Sequence, residues 1–91
     1  MEIIFSRKAK SDLDFWQRSG NKLVLKKISE LVRAIQENPF KGIGKPEPLK
    51  HNLSGIWSRR INQEHRLIYQ MANENTIEIL NILSLKGHYE Q

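Results

Sequence analysis

The order of hydrophobic periodicities along these 91 residues predicts an α+β domain, with an N-terminal strand and a helical hairpin packed on a mainly antiparallel sheet. Three observations carry that expectation. Apolar residues recur every three or four positions through residues 9–35. The period then shortens to two through residues 57–71, and an Ile- and Leu-rich run fills residues 76–84.

Each element follows from its own residues. Glu2 to Phe5 is a short apolar run of strand type. Ser6 can cap a helix, and Ala9, Leu13 and Trp16 then fall on one helical face. Ser19-Gly20-Asn21 breaks it. A second helix runs from about Lys22 to Glu37, with Val24, Ile28, Leu31 and Ile35 in one stripe and Leu25 and Val32 beside it. Pro39 disfavours helical geometry at Asn38 and ends it. The short connection predicts an antiparallel helical hairpin. Residues 39–48 contain all three prolines and two glycines, and read as a loop of restricted shape. Trp57, Arg59 and Ile61 alternate with Ser58, Arg60 and Asn62, and Leu67, Tyr69 and Met71 with Arg66, Ile68 and Gln70. Gln63-Glu64 lies between the two runs, so they form a hairpin. Asn73-Glu74-Asn75 is the next turn, and the strand of residues 76–84 is expected to be the most buried.

Length and composition set limits. The chain is long enough for a single domain over residues 1–91 and too short for two cores. Hydrophobic residues are only 38% of it, so most of them are needed inside. No apolar run reaches 18 residues and no signal-peptide pattern opens the chain, which predicts a soluble cytoplasmic protein without membrane association. Cysteine is absent, and His51, His65 and His88 lack metal-ligand spacing, so neither a metal nor another cofactor is expected. The net charge of +5 is unevenly placed. Residues 41–66 hold six lysines and arginines against Glu47 and Glu64, whereas residues 67–91 hold Lys86 against three acids. A basic middle favours a polyanionic partner, nucleic acid first.

Within that middle, residues 45–66 read KPEPLKHNLSGIWSRRINQEHR. Pro46 and Pro48 restrict the backbone on both sides of Glu47, and Lys45, Lys50, His51, Arg59, Arg60 and Arg66 surround this acid in sequence. Cations hold phosphate and a fixed carboxylate can accept a proton; His88 and Tyr89 add a proton donor and an aromatic ring. RNA carries its own nucleophile, the 2′-hydroxyl. Cleavage needs a base for its proton, a cation for charge developing on the phosphoryl oxygens, and an acid for the departing 5′-oxygen. These residue types therefore point to a metal-independent ribonuclease.

The same residues carry a resemblance. KPEPLKHNLSG, WSRRI and EHRL, with a His-Tyr near the C-terminus, resemble the YoeB (Txe) toxins of the RelE superfamily, and the similarity covers nearly the whole chain, including Trp16 and the second helix. The resemblance implies the small RelE-like fold and a ribosome-dependent endoribonuclease that cuts mRNA during translation, held inactive by an acidic antitoxin of the YefM type. It implies Glu47 as general base, His88 as general acid and Arg66 as the cation on the scissile phosphate. Tyr89 would order the substrate, with Lys50, His51 and Arg59 as supporting basic positions and Arg60 extending their patch. It makes a homodimer plausible, although no seam in the sequence marks one. One departure stands out: Glu90 and Gln91 follow Tyr89, where the family form ends at the tyrosine.

Blander readings exist for several of these residues. Glu47 could pair with a neighbouring lysine, and Arg66 could form a structural ion pair. Trp16 and Trp57 read as packing residues, and His65 beside the turn as structural or solvent-facing. Arg59 and Arg60 fall on opposite faces of a regular strand and cannot serve one groove equally. The competing function is a non-catalytic basic module that binds RNA, the ribosome or an antitoxin and needs neither Glu47 nor His88.

Overall fold

A computed structural model describes residues 1–50 and 55–85. The elements run β1 (Glu2–Phe5), α1 (Arg7–Ser19), α2 (Lys22–Glu37), β2 (Glu47–Pro48), β3 (Ile56–Arg60), β4 (His65–Asn73) and β5 (Thr76–Leu85). The strands form one sheet in the order β1-β5-β4-β3-β2. β1 pairs parallel with β5 and the remaining pairs are antiparallel. The α+β architecture is the expected one.

Local chemistry fixes the helix ends. The Ser6 hydroxyl accepts the Ala9 N–H at 2.9 Å and Asn21 Oδ1 accepts that of Val24 at 3.1 Å, two side-chain N-caps. Gly20, at φ +70°, closes α1 in the left-handed conformation that glycine adopts without a Cβ clash. α2 stops at Glu37, and Asn38 before Pro39 is extended.

The core lies between the helices and one sheet face. Trp16, Val24, Ile28, Leu31 and Ile35 meet Leu67, Tyr69, Ile77, Ile79 and Ile82, the last three completely buried. Register follows: Trp57 opposes Tyr69 and Arg59 opposes Leu67 on this face, so Ser58–Ile68 and Arg60–Arg66 occupy the other.

α1 departs from its expected stripe. Asp12 is buried as well as Ala9 and Trp16, while Leu13 is only half-buried. The reason lies in β5, whose pairing with β4 shifts register on both sides of Ile68. Such irregularities leave peptide groups without ladder partners. Side chains of α1 take them up. Ser6 Oγ donates to Leu80 O at 2.8 Å, Asp12 Oδ2 accepts the N–H groups of Ile82 and Leu83 at 2.8 and 3.2 Å, and Trp16 Nε1 donates to Ile82 O at 2.8 Å. Lys8 completes the Asp12 carboxylate through Oδ1. Asp12 thus acts as an acceptor for a strand that β1 is too short to cover.

Residues 39–48 are not entirely loop. Glu47 opposes Ser58 and Pro48 opposes Trp57, making a two-residue edge strand. Proline is tolerated there because an edge strand needs donors on one side only.

Replacing Asp12 with alanine leaves the Ile82 N–H, which is buried, and the Leu83 N–H, which is half-buried, without a partner and should cost roughly 2–3 kcal/mol in urea denaturation. Asp12→Asn retains an acceptor and should cost less, with amide exchange at Ile82 and Leu83 accelerated mainly in the alanine variant.

Candidate functional site

The basic middle of the chain divides into an inner and an outer part at Arg59 and Arg60. Arg59 is completely buried. Its Nε donates to Tyr69 Oη at 3.0 Å, Nη1 to Ile43 O at 3.1 Å, and Nη2 to Asn38 O and Lys41 O at 2.7 and 3.0 Å. Tyr69 Oη in turn donates to Pro39 O at 2.7 Å. One guanidinium and one phenol therefore gather four carbonyls of the segment that joins α2 to β2. A buried cation is tolerated because its donors meet oriented dipoles. The expectation that Arg59 supports a substrate groove is corrected: it is a packing residue of the helix-side face, with its donors already engaged. Arg60, one residue on, is exposed.

The connecting segment is tight. Gly42 and Gly44 have φ of +127° and +82°, and Lys45 has φ of +50°. A Cβ at Gly44 would stand 2.7 Å from Leu31 Cδ2 and 3.3 Å from Arg60 O, so only glycine fits. Arg60 N–H donates to Gly44 O at 2.7 Å, tying the segment to β3 just before Glu47 enters the sheet.

The face away from the helices carries the candidate chemistry. Glu47 opposes Ser58; Arg60 lies two residues along from Ser58 and opposes Arg66. All four side chains therefore share one face. Two strand spacings and two residues separate Glu47 from Arg66, roughly 12 Å between Cα atoms. Both side chains are long enough to reach a group lying between them. Glu47 is exposed and makes no ion pair among the described residues; those present are Lys8–Asp12 and Arg18–Asp14, both on α1. The simple reading of Glu47 as a lysine's partner finds no support there. Lys45 and Lys50 flank it, also exposed.

Arg66 is buried, and its Nη1 donates to the carbonyls of Asn62, Gln63 and His65 at 2.8, 3.3 and 3.1 Å. These bonds hold one edge of the guanidinium against the β3–β4 turn. Its Nε and Nη2 meet no acceptor among the described residues. Asn62 Oδ1 shapes the same turn by accepting the N–H groups of Glu64 and His65 at 2.9 and 2.8 Å.

The aromatic residues behave as packing groups. Trp16 is buried, and Trp57 is half-buried with its ring 5.0 Å from that of Phe40. His65 meets the Trp16 ring edge-on at 5.1 Å, and its Nδ1 is buried without a partner among the described residues. His51, His88, Tyr89, Glu90 and Gln91 lie outside the described residues. Among the described residues no three His, Asp or Glu side chains gather as a metal site, and no helix is long and apolar enough to cross a membrane.

Comparison with known proteins decides the family. A profile for the YoeB-like toxin of bacterial type II toxin-antitoxin systems matches residues 5–89. The chain belongs to this family. A Toxin YoeB from Synechocystis is 47% identical over 91 residues, covering the whole of both chains. A YoeB/ParE toxin from Agrobacterium tumefaciens superposes with a TM-score of 0.86 at 36% identity, over 92% of this chain and 98% of the other. A YoeB from Staphylococcus aureus, solved as a dimer and as a heterotetrameric YoeB-YefM toxin-antitoxin complex, gives a TM-score of 0.81 at 45% identity over 91% and 94%. The fold of this YoeB-family chain is thus that of its structural neighbours, and it is a toxin of a type II toxin–antitoxin system.

Arg59→Ala should destabilise the YoeB-family fold by roughly 3 kcal/mol, since it strands carbonyls and the Tyr69 hydroxyl, whereas Arg60→Ala should leave thermal stability nearly unchanged. Burial raises the Tyr69 phenol above its ordinary value of 10.0, against a smaller lowering by Arg59. The folded chain therefore keeps a proton that the unfolded chain releases. Tyr69 should contribute stability below about pH 10 that is lost as pH rises through the raised value. Alkaline denaturation of Tyr69→Phe should lack that component.

Proposed function

We propose that this YoeB-family toxin is a ribosome-dependent endoribonuclease that cleaves mRNA under translation by metal-independent attack of the 2′-hydroxyl. The observation that carries the reading is the common sheet face of Glu47, Arg60 and Arg66. Glu47, exposed and unpaired among the described residues, takes the 2′-hydroxyl proton as general base. Arg66, braced by the turn through Nη1, offers Nε and Nη2 to the scissile phosphate as charge builds on its oxygens. His88 protonates the departing 5′-oxygen. The products are a 2′,3′-cyclic phosphate and a 5′-hydroxyl.

Around that trio, Lys50, His51 and Arg60 hold neighbouring backbone phosphates and Tyr89 orders the substrate by stacking. Arg59 has no part in this set. It acts earlier, by fixing the segment that delivers Glu47 to the edge of the sheet. The toxin works in the cytoplasm on translating ribosomes. Its inhibitor is a YefM-like acidic antitoxin, a partner supported by the S. aureus YoeB-YefM complex, and carboxylates of that antitoxin would take the place of phosphates in the basic cleft. The same relative's dimer supports self-association of this chain.

Induction in growing cells, with 5′-end mapping of mRNA, tests the reading. The parent protein should arrest growth and produce cuts phased to codons. Glu47→Gln should lower cleavage by about 10²–10⁴-fold, and His88→Gln comparably. Arg66→Lys keeps a charge but loses the planar fork, and should cost about 10²-fold. Growth arrest that persists in Glu47→Gln and His88→Gln with intact mRNA would instead mean that the toxin acts by binding alone.

A further inference from the structure

We propose that a cleft between α2 and the β3–β4 turn is a second phosphate subsite, which holds the RNA backbone beside the nucleotide being cut. The inference rests on the RNA reading above and extends it to residues that reading leaves unused. The cleft has a volume of about 360 Å³ and is lined by Lys27, Gly44, Lys45, Arg60, Ile61, Asn62 and Gln63. Basic residues of three elements line it: Lys27 of α2, Lys45 of the connecting segment and Arg60 at the end of β3, whose side chain by register also serves the neighbouring sheet face. Among the described residues no acid lines it, and none of the three cations is ion-paired. Asn62 and Gln63 supply amides. Cations and amides at its rim suit an oxyanion and disfavour a cation.

Lys45 gives a second, independent reason. It is the one non-glycine at positive φ among the described residues, and it precedes Pro46, a position where extended backbone is preferred. A β-carbon in the left-handed region is unfavourable where glycine would be relaxed. Gly42 and Gly44 stand at positive φ in the same segment, yet Lys45 is a lysine that lines the cleft. Backbone strain held at a charged residue beside a candidate site points toward a functional role for that side chain.

Position selects RNA. Arg60 lines the cleft and by register also belongs to the sheet face of Glu47 and Arg66, so the cleft adjoins the edge of that face, and a strand crossing the face can continue around this edge into the cleft. Lys45 is two residues from Glu47. A chain of evenly spaced phosphates would engage both places at once.

The test measures binding of a 2′-O-methyl RNA hexanucleotide, which cannot be cleaved, across a salt series. The Lys27→Gln/Lys45→Gln double variant should bind about tenfold more weakly, with its log–log salt slope shallower by about 0.7 for each phosphate no longer neutralised. Lys45→Arg should bind like the parent. Lys45→Gly should raise the melting temperature by relieving the backbone while weakening RNA binding, a pairing that a merely structural lysine would not give. Unchanged affinity and slope in the double variant, or no measurable binding by the parent protein, would overturn the proposal. So would a loss confined to antitoxin affinity, which would assign the cleft to carboxylates. Cleavage undiminished in Glu47→Gln would overturn the acid–base assignment alone, because the methylated strand reports on the cleft without any chemistry.

Discussion

The buried guanidinium of Arg59 is the constraint on which the geometry of this toxin depends. A cation removed from water must find acceptors, and the nearest available are the carbonyls of Asn38, Lys41 and Ile43 and the Tyr69 hydroxyl. Satisfying the charge therefore dictates the course of the chain between α2 and β2. That segment has few options left: Gly44 packs against Leu31, its carbonyl accepts from Arg60, and Pro46 follows at once. Glu47 emerges at the sheet edge because everything before it is already held. The carboxylate proposed as general base is thus oriented by residues buried on the other side of the sheet.

A second anchoring scheme holds the opposite side of the sheet. β1 pairs with β5 only from Thr76 to Ile79, and the rest of β5 is irregular against β4. Ser6, Asp12 and Trp16 supply the missing hydrogen-bond partners from one helix. The helical layer consequently does more than cover an apolar face; it fixes β5 up to the point where β5 pairs with His65 and Arg66. The two schemes share a logic. Among the described residues, polar side chains bonded to backbone groups, rather than ion pairs, join the layers.

Much of this was legible in the sequence, and the failures have physical causes. The capping residues Ser6 and Asn21 and the Pro39 stop are local signals, and both helices end where those signals place them. The β3–β4 alternation also put Arg59 on the Trp57 and Ile61 side, away from Arg60, which was enough to doubt that both arginines serve one groove. What was missing was the demand of four acceptors that makes Arg59 wholly internal. Asp12 could not be read at all: an acid on an otherwise apolar helix face gains its meaning from amides 70 residues away. The Glu47–Pro48 strand was hidden because proline argues against sheet in general, and only an edge position lifts that objection. Of the candidate site, the alternation implied that Arg60 and Arg66 share a face, while the place of Glu47 beside them depended on that unforeseen strand.

The edge formed by Glu47 and Pro48 also restricts how another molecule can approach. It is two residues long, one charged and one without an N–H, so it offers almost no ladder for an incoming backbone. Partners that bind proteins by extending a sheet gain much of their affinity from main-chain hydrogen bonds. On this border that mode is closed. Whatever settles against it has to be recognised through side-chain charge and shape, so selectivity on this flank rests on the chemistry of the visitor, and promiscuous strand pairing with other cellular chains is discouraged.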